Sequence, residues 1–193
     1  MMKTTLLVLS LCCITSVTFA AKERNYDVQV LIFSHITPDT LQLQQWPAVS
    51  PEQNTQIIKA PAPATDLQSE KNALLKNPNY QILLDASWPE TWSSDQSTIT
   101  IPIASMDGKL NGWMEITLGH YFDVHANLLL TVPTATLQQL STNGYFSKWS
   151  QPNFTFQLLQ KRRMRSNELN YLEHPLMGML IKITPVRNEQ PTK

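Results

Sequence analysis

The chain contains 193 residues, and its 15 lysines and arginines balance its 15 aspartates and glutamates. This neutrality conceals two blocks of opposite charge. Ala21 to Gln160 holds seven basic and twelve acidic residues, whereas Lys161 to Lys193 holds seven basic and three acidic ones. Charge blocks of this kind usually concern partners rather than fold. The 2 cysteines are too few for a small scaffold held together by disulfides.

The N-terminus has the three regions of a secretory signal. Met1-Met2-Lys3 is a short basic start, Leu6 to Phe19 is apolar, and Thr18-Phe19-Ala20 places small residues where a signal peptidase reads them. We predict that residues 1–20 are a cleaved signal peptide and that the mature chain begins near Ala21. The apolar stretch is shorter than the roughly 20 residues that span a bilayer, so we expect no membrane span after cleavage.

Both cysteines, Cys12 and Cys13, fall inside this signal, so the mature chain has none. A lipid-anchored product is the alternative, but Leu11 is large for the position before a lipid-modified cysteine, so we favour a soluble exported product. About 173 residues can bury some two-thirds of their unfolded surface without covalent links. An exported chain does not normally meet nucleic acid, and we expect anionic polymers of the envelope to be the partners of its basic segment.

The mature chain begins with a strand and a helix separated by a proline-rich excursion. Tyr26 to Phe33 becomes apolar on both faces and predicts a central strand. Residues 46–65 are rich in Pro, Ala, Gln and Ser, which predicts an extended surface loop. Thr65 is the predicted cap of a helix, with Gln68 completing a capping box and Asn77-Pro78 ending the helix.

The remaining elements are predicted as strands, and the first, Tyr80 to Trp88, is expected to end at Pro89. The others are Thr98 to Ile103, Trp113 to Leu118, Phe122 to Leu130, a strand from Phe154 into the basic cluster, Glu168 to Leu172, and Gly178 to Thr184. Ser166-Asn167 predicts a two-residue turn, after which Glu168 to Leu172 returns antiparallel to the preceding strand. We therefore predict an α+β fold, with residues 21–193 as a single domain dominated by a mainly antiparallel sheet with one clear helix.

Catalytic motifs are missing from the sequence. There is no Ser-x-x-Lys, no Gly-x-Ser-x-Gly, no phosphate-binding glycine loop and no mature cysteine, so we expect no cofactor and no enzyme of those classes. Asp123 and His125 share a strand face, but two ligands do not complete a zinc site, and we predict no metal site. Paired carboxylates for glycoside cleavage remain open, because sequence spacing does not show which acids meet in space. The candidates are Asp85, Glu90, Glu115, Asp123, Glu168 and Glu173.

The basic cluster is the strongest candidate for a binding site. On a strand, Lys161, Arg163 and Arg165 fall on one face, and Arg162 and Met164 fall on the other. Stacked cations repel one another unless a ligand or nearby acids neutralise them, and Glu168 and Glu173 are the nearest acids in sequence. Arginine binds carboxylates bidentately, and peptidoglycan stem peptides are rich in carboxylates. The predicted ligand-binding residues are Lys161, Arg163, Arg165, Arg162, Tyr171 and His174.

Several aromatic and turn residues have two interpretations. Trp88, Trp92, Trp113 and Trp149 offer flat faces to sugars, but a place in the core is the more common use of tryptophan. His174-Pro175 is typical of a turn that ends a strand, and we favour a structural role for its histidine.

The C-terminal residues carry a family resemblance. Arg162 to Pro175, followed by Gly178 and a strand that ends at Thr184-Pro185, resembles the C-terminal signature of the CsiV family of periplasmic peptidoglycan-binding proteins. Supporting segments are Tyr26 to Phe33, Leu83 to Trp88, and Tyr121 to His125.

The resemblance implies a non-enzymatic accessory factor. Such a protein binds peptidoglycan and supports a class A penicillin-binding protein, together with its outer-membrane lipoprotein activator, in cell-wall synthesis. Two alternatives stay open at this point: a peptidoglycan hydrolase, and an envelope scaffold that binds only protein.

Overall fold

The computed structural model describes residues 23–49 and 62–186, and the predicted signal peptide lies outside these residues. Two four-stranded sheets, in the orders β2-β1-β8-β7 (sheet A) and β3-β4-β5-β6 (sheet B), contain the strands. Their bounds are β1 Arg24–Ser34, β2 Gln81–Trp92, β3 Thr98–Ala104, β4 Leu110–Leu118, β5 Phe122–Pro133, β6 Asn153–Met164, β7 Asn170–His174 and β8 Met177–Pro185. Every pairing is antiparallel. The predicted mainly antiparallel pairing is confirmed, in two sheets rather than one, and these strands with a few short helices are broadly consistent with the predicted α+β class.

The two sheets share one hydrophobic core. Alternate residues of sheet A, such as Val30 and Ile181, and of sheet B, such as Met114 and Leu128, are fully buried in the same cluster. This is the arrangement of two sheets packed face to face, in which the inner positions of each strand interdigitate. The prediction that β1 is a central strand is confirmed, since it lies between β2 and β8.

The helices are short, and more numerous than the sequence predicted. The described residues form α1 (Pro38–Leu41), α2 (Gln68–Leu75) and α3 (Thr134–Leu140), with 3₁₀ turns at Thr65–Leu67 and Tyr145–Lys148. Among residues 23–49 and 62–186, no helix has the length and apolar character that crossing a membrane requires.

The predicted capping box at Thr65 is wrong. Thr65 lies inside the 3₁₀ turn, and Leu67 precedes α2 without a side-chain cap. The reciprocal capping box belongs to α1, where the Thr37 hydroxyl accepts from the Thr40 amide at 3.2 Å and the Thr40 hydroxyl accepts from the Thr37 amide at 2.9 Å. The local pattern favours the wrong site, because Gln68 has the side chain that usually completes a capping box, whereas Thr40 does not.

The second face of sheet A is covered by the 3₁₀ turn and α2. Leu67 and Leu31 form a small apolar cluster there with Ala64. Lys71 Nζ lies 2.6 Å from Asp85 Oδ2, and this ion pair joins α2 to β2. The outer face of sheet B is different, because its outward residues on β4, β5 and β6 include several charged side chains.

The ends of the proline-rich excursion take part in this packing. Trp46 is only 2% exposed, and its indole N–H donates to the Leu41 carbonyl at 3.1 Å. Ala64 is also buried. Residues 50–61 of the predicted excursion lie outside the described residues.

Two predictions about strand ends are wrong. β2 continues through Pro89, which pairs with Asp27; an edge strand tolerates proline because one side of its ladder is unpaired. The predicted hairpin at Ser166-Asn167 is also wrong, because β6 pairs with β5 and β7 pairs with β8. The intervening residues cross from sheet B to sheet A instead. Asn167 adopts φ 64° and its amide donates to the Ile183 carbonyl at 2.8 Å.

Candidate functional site

The register of sheet B places charged residues in rows on its outer face. In the first row Thr117 lies beside Asp123, which lies beside Arg163. In the second row Glu115 lies beside His125, which lies beside Lys161. Side chains alternate along a strand, so residues two apart on β4, β5 and β6 share this outward face.

These rows line an open groove of about 610 Å³. The residues around it are Glu115, Thr117, Asp123, Val124, His125, Lys161, Arg162 and Arg163. Two cations, Lys161 and Arg163 on β6, and two carboxylates, Glu115 on β4 and Asp123 on β5, therefore project onto one shallow surface.

Arg163 and Asp123 form a bidentate pair in the first row. Arg163 Nε donates to Asp123 Oδ1 at 2.8 Å, and Nη2 donates to Oδ2 at 3.0 Å. These bonds hold the pKa of Asp123 below its usual range and raise that of Arg163. Both side chains are exposed, so water screens the pair and its contribution to folding is small. Its chemical effect is that the positive charge of Arg163 is neutralised by Asp123 within the protein.

In the described part of the chain, the charged ends of the second row are not joined by a bidentate pair of this kind. Among the described residues, Lys161 makes no ion pair, and the nearest basic nitrogen to Glu115 is Nδ1 of His125, 3.7 Å from Glu115 Oε2. Trp113 meets the His125 ring at 88° with centroids 4.9 Å apart. The row thus has a carboxylate at one end and an ammonium at the other.

Arg165 lies just beyond the strand, since β6 ends at Met164. Its guanidinium lies 5.5 Å from the centre of the Tyr121 ring, and that of Arg163 lies 5.9 Å from it. Cations at such distances are attracted by the ring face. Arg165 Nη1 is also 3.5 Å from Glu168 Oε1. Of the two ways to neutralise the stacked cations, a ligand or nearby acids, the structure provides acids for two of them, Asp123 for Arg163 and Glu168 for Arg165.

The predicted site residue Arg162 contacts the other sheet. It lies on the opposite face of β6 from Lys161 and Arg163, as predicted, and its Nε donates to Asn170 Oδ1 at 3.2 Å. Since Asn170 belongs to β7, this bond links the edge of sheet B to the edge of sheet A.

The other two predicted residues, Tyr171 and His174, lie on sheet A, away from the groove. The Tyr171 ring is stacked on Phe33 at an interplanar angle of 4°. His174 accepts a hydrogen bond from the Leu176 amide at 3.2 Å and contacts Trp46. Burial lowers the pKa of His174, which keeps its ring neutral beside these apolar neighbours.

Sequence reasoning placed Asp123 and His125 on one face but did not connect them with the basic strand or with Trp113 and Glu115. The connection depends on the pairing of β5 with β6, which are separated by α3 and a 3₁₀ turn. A matching of acidic and basic residues along the longest alternating runs would have favoured this pairing. In the described part of the chain, no three His, Cys, Asp or Glu residues are grouped to hold a metal ion.

Comparison with known families gives one match. The model of the family described as "Peptidoglycan-binding protein, CsiV" matches residues 52–186, which include every residue of the groove. The family resemblance of the C-terminal segment is thereby confirmed. No curated protein and no solved structure matches the chain.

Proposed function

The chain belongs to the CsiV family of peptidoglycan-binding proteins, and we propose that it binds peptidoglycan in the periplasm through the groove on sheet B. One observation supports this location above others. Lys161 presents an ammonium on an open surface without an ion-pair partner among the described residues, on the same strand face as Arg163. Such a surface attracts polymers that carry carboxylates.

We propose further that the protein acts without catalysis. A glycoside hydrolase needs a carboxylic acid that keeps its proton at working pH. Asp123 is one of the two carboxylates in the groove, and its pKa is shifted in the opposite direction, because the hydrogen bonds from Arg163 lower it. The arrangement supports binding of charged groups rather than protonation of a glycosidic oxygen.

The proposal includes a role as an accessory factor. The family resemblance implies support of a class A penicillin-binding protein and its outer-membrane lipoprotein activator, and we extend that role to this chain. Co-purification of the chain with such a synthase, repeated after the sacculi are digested, tests this part separately from wall binding. Loss of the synthase upon digestion would contradict a direct protein contact.

Sedimentation with purified sacculi tests wall binding. We expect the wild-type chain to sediment, and Lys161→Gln to sediment less because the uncompensated cation is lost. Lys76→Gln is the matched control, because it removes one exposed lysine just after α2, on the far side of sheet A. Rising salt should weaken the interaction, since exposed charges are screened.

Two results would contradict the proposal. Failure of the wild-type chain to sediment would remove wall binding, and equal sedimentation of the Lys161 and Lys76 variants would remove the groove. Release of soluble muropeptides during incubation would contradict the non-catalytic role.

A further inference from the structure

The second row of the groove has a charge pattern that selects among the chemical groups of peptidoglycan. Glu115, His125 and Lys161 lie side by side on three neighbouring strands. We propose that this row binds an amino-acid zwitterion, in which one carbon carries both an ammonium and a carboxylate. In peptidoglycan this group is the free end of the diamino acid in an uncrosslinked stem peptide. The inference rests on the proposed function, because it names the part of the polymer that the groove recognises.

The width of the row fits this ligand. Glu115 and Lys161 are both register partners of His125, so their backbones are two strand spacings, about 9.6 Å, apart. Their side chains project from the same face. Flexible side chains at this spacing can close charge-assisted hydrogen bonds of about 2.8 Å on a small group that carries both charges. An ammonium and a carboxylate on one carbon form such a group, with the ammonium at Glu115 and the carboxylate at Lys161.

The charged side chains of the first row are hydrogen-bonded to each other, whereas those of the second row can still bind a ligand. Two hydrogen bonds join Arg163 to Asp123. By contrast, the 3.7 Å between His125 Nδ1 and Glu115 Oε2 is longer than a hydrogen bond. Neither Glu115 nor Lys161 has a hydrogen-bonding side-chain partner among residues 23–49 and 62–186. The second row therefore has the free capacity to receive two opposite charges.

The glycan is a poorer fit to this part of the groove. Neutral sugars bind through flat aromatic faces and uncharged polar groups, and they do not need opposed charges. Trp113 is the aromatic residue nearest the row, and it is half-buried and engaged in a perpendicular contact with His125. The charged ends of the row, rather than an open indole face, are what the groove offers to a ligand.

Calorimetric titration with soluble muropeptides tests the inference. The probes are an uncrosslinked disaccharide-tetrapeptide with its free diamino-acid amine and the same compound N-acetylated at that amine. We expect acetylation to weaken binding to the wild-type chain about five- to tenfold, because a charge-assisted bond in an open groove is lost.

Variants locate the effect at each end of the row. Glu115→Gln should weaken binding of the native muropeptide by a similar factor and leave the affinity for the acetylated one unchanged. Lys161→Gln should weaken both, because both probes keep the carboxylate, and Lys76→Gln should affect neither. Thermal unfolding of each variant confirms that these exposed substitutions leave the fold intact.

The outcomes separate this inference from the proposed function. Equal wild-type affinity for the two muropeptides, no measurable binding of the native one, or an equal loss on both for Glu115→Gln would overturn zwitterion recognition. Sedimentation with sacculi would survive any of these results if the groove binds wall by charge alone. Loss of sedimentation by the wild-type chain would remove both proposals.

Discussion

Gly178 occupies a position in β8 where two aromatic rings leave no room for a side chain. A Cβ atom there would lie 2.6 Å from Phe33 Cζ and 2.6 Å from Tyr171 Cε2, well inside the optimum of about 3.5–4.0 Å. We expect Gly178→Ala to force the stacked rings apart. Overpacking of this kind costs about 1–3 kcal/mol.

A small gain offsets part of this loss. The φ of Gly178 lies outside the left-handed region, so alanine restricts the unfolded chain and returns about 0.4–1 kcal/mol. The net loss in the free energy of unfolding is then about 1–2 kcal/mol. In a chain of this size, that corresponds to a fall in Tm of about 2–8 °C, which calorimetry resolves.

A double-mutant cycle tests the cause. Tyr171→Ala removes one of the two obstructing rings, so Gly178→Ala should be less destabilising in that background by about 0.5–1 kcal/mol. Gly108→Ala is the control, because no atom of the described residues lies within 4 Å of the position that a Cβ would take there. Its cost comes from the local backbone, at φ 71°, and should be the same in both backgrounds. An unchanged Tm for Gly178→Ala, or strict additivity with Tyr171→Ala, would refute the steric argument.

Three further predictions concern the core, the half-buried His174 and the groove. Trp46→Ala should lower the free energy of unfolding by about 3–5 kcal/mol in urea titrations, because the ring is buried and its hydrogen bond to Leu41 is lost. Burial lowers the pKa of His174, so its contribution to stability is present above about pH 6.5 and is lost as the pH falls through the lower folded-state pKa. His174→Asn keeps an acceptor for the Leu176 amide and should reduce this acid sensitivity in urea titrations across this pH range. Asp123→Asn should free Arg163 and increase sedimentation with sacculi at low salt, an increase that high salt should abolish; unchanged or weaker sedimentation would contradict it.

The alternating patterns were sufficient to predict which residues share a face. Lys161 and Arg163 point outward and Arg162 points the other way, as the period of two requires. β1 is central, as its apolar faces indicated. These features depend on the strand itself and on nothing distant in the chain.

Strand partners could not be predicted in the same way. An alternating run has the same pattern whichever strand it pairs with, so the pairing of β6 with β5 rather than β7 was not encoded locally. The predicted binding site was incomplete for the same reason, because residues on neighbouring strands could not be assigned to it. Compensation of Arg163 by Asp123 follows from the register of β5 with β6, and the position of Glu115 across from Lys161 follows from the register of β4, β5 and β6.

The end of β6 and the start of the C-terminal signature have two separable roles, which explains why their residues diverge in space. Lys161 and Arg163 face the groove, whereas their neighbours on β6 join the edges of the two sheets. Gln160 Nε2 donates to the Glu173 carbonyl at 2.7 Å, and Gln160 Oε1 accepts from the Glu173 amide at 3.2 Å. Together with the bond from Arg162 to Asn170, these contacts fix β6 against β7.

The chemistry of this junction decides which substitutions it tolerates. Gln160 pairs with the backbone of Glu173, so the junction does not require the Glu173 carboxylate. Glu173→Gln should therefore change the free energy of unfolding by less than about 0.5 kcal/mol, whereas Gln160→Ala removes both bonds and should destabilise the junction by about 1–2 kcal/mol, as urea titrations of the two variants would measure. A larger loss for Glu173→Gln than for Gln160→Ala would show that the carboxylate, and not the backbone pairing, holds the two sheet edges together.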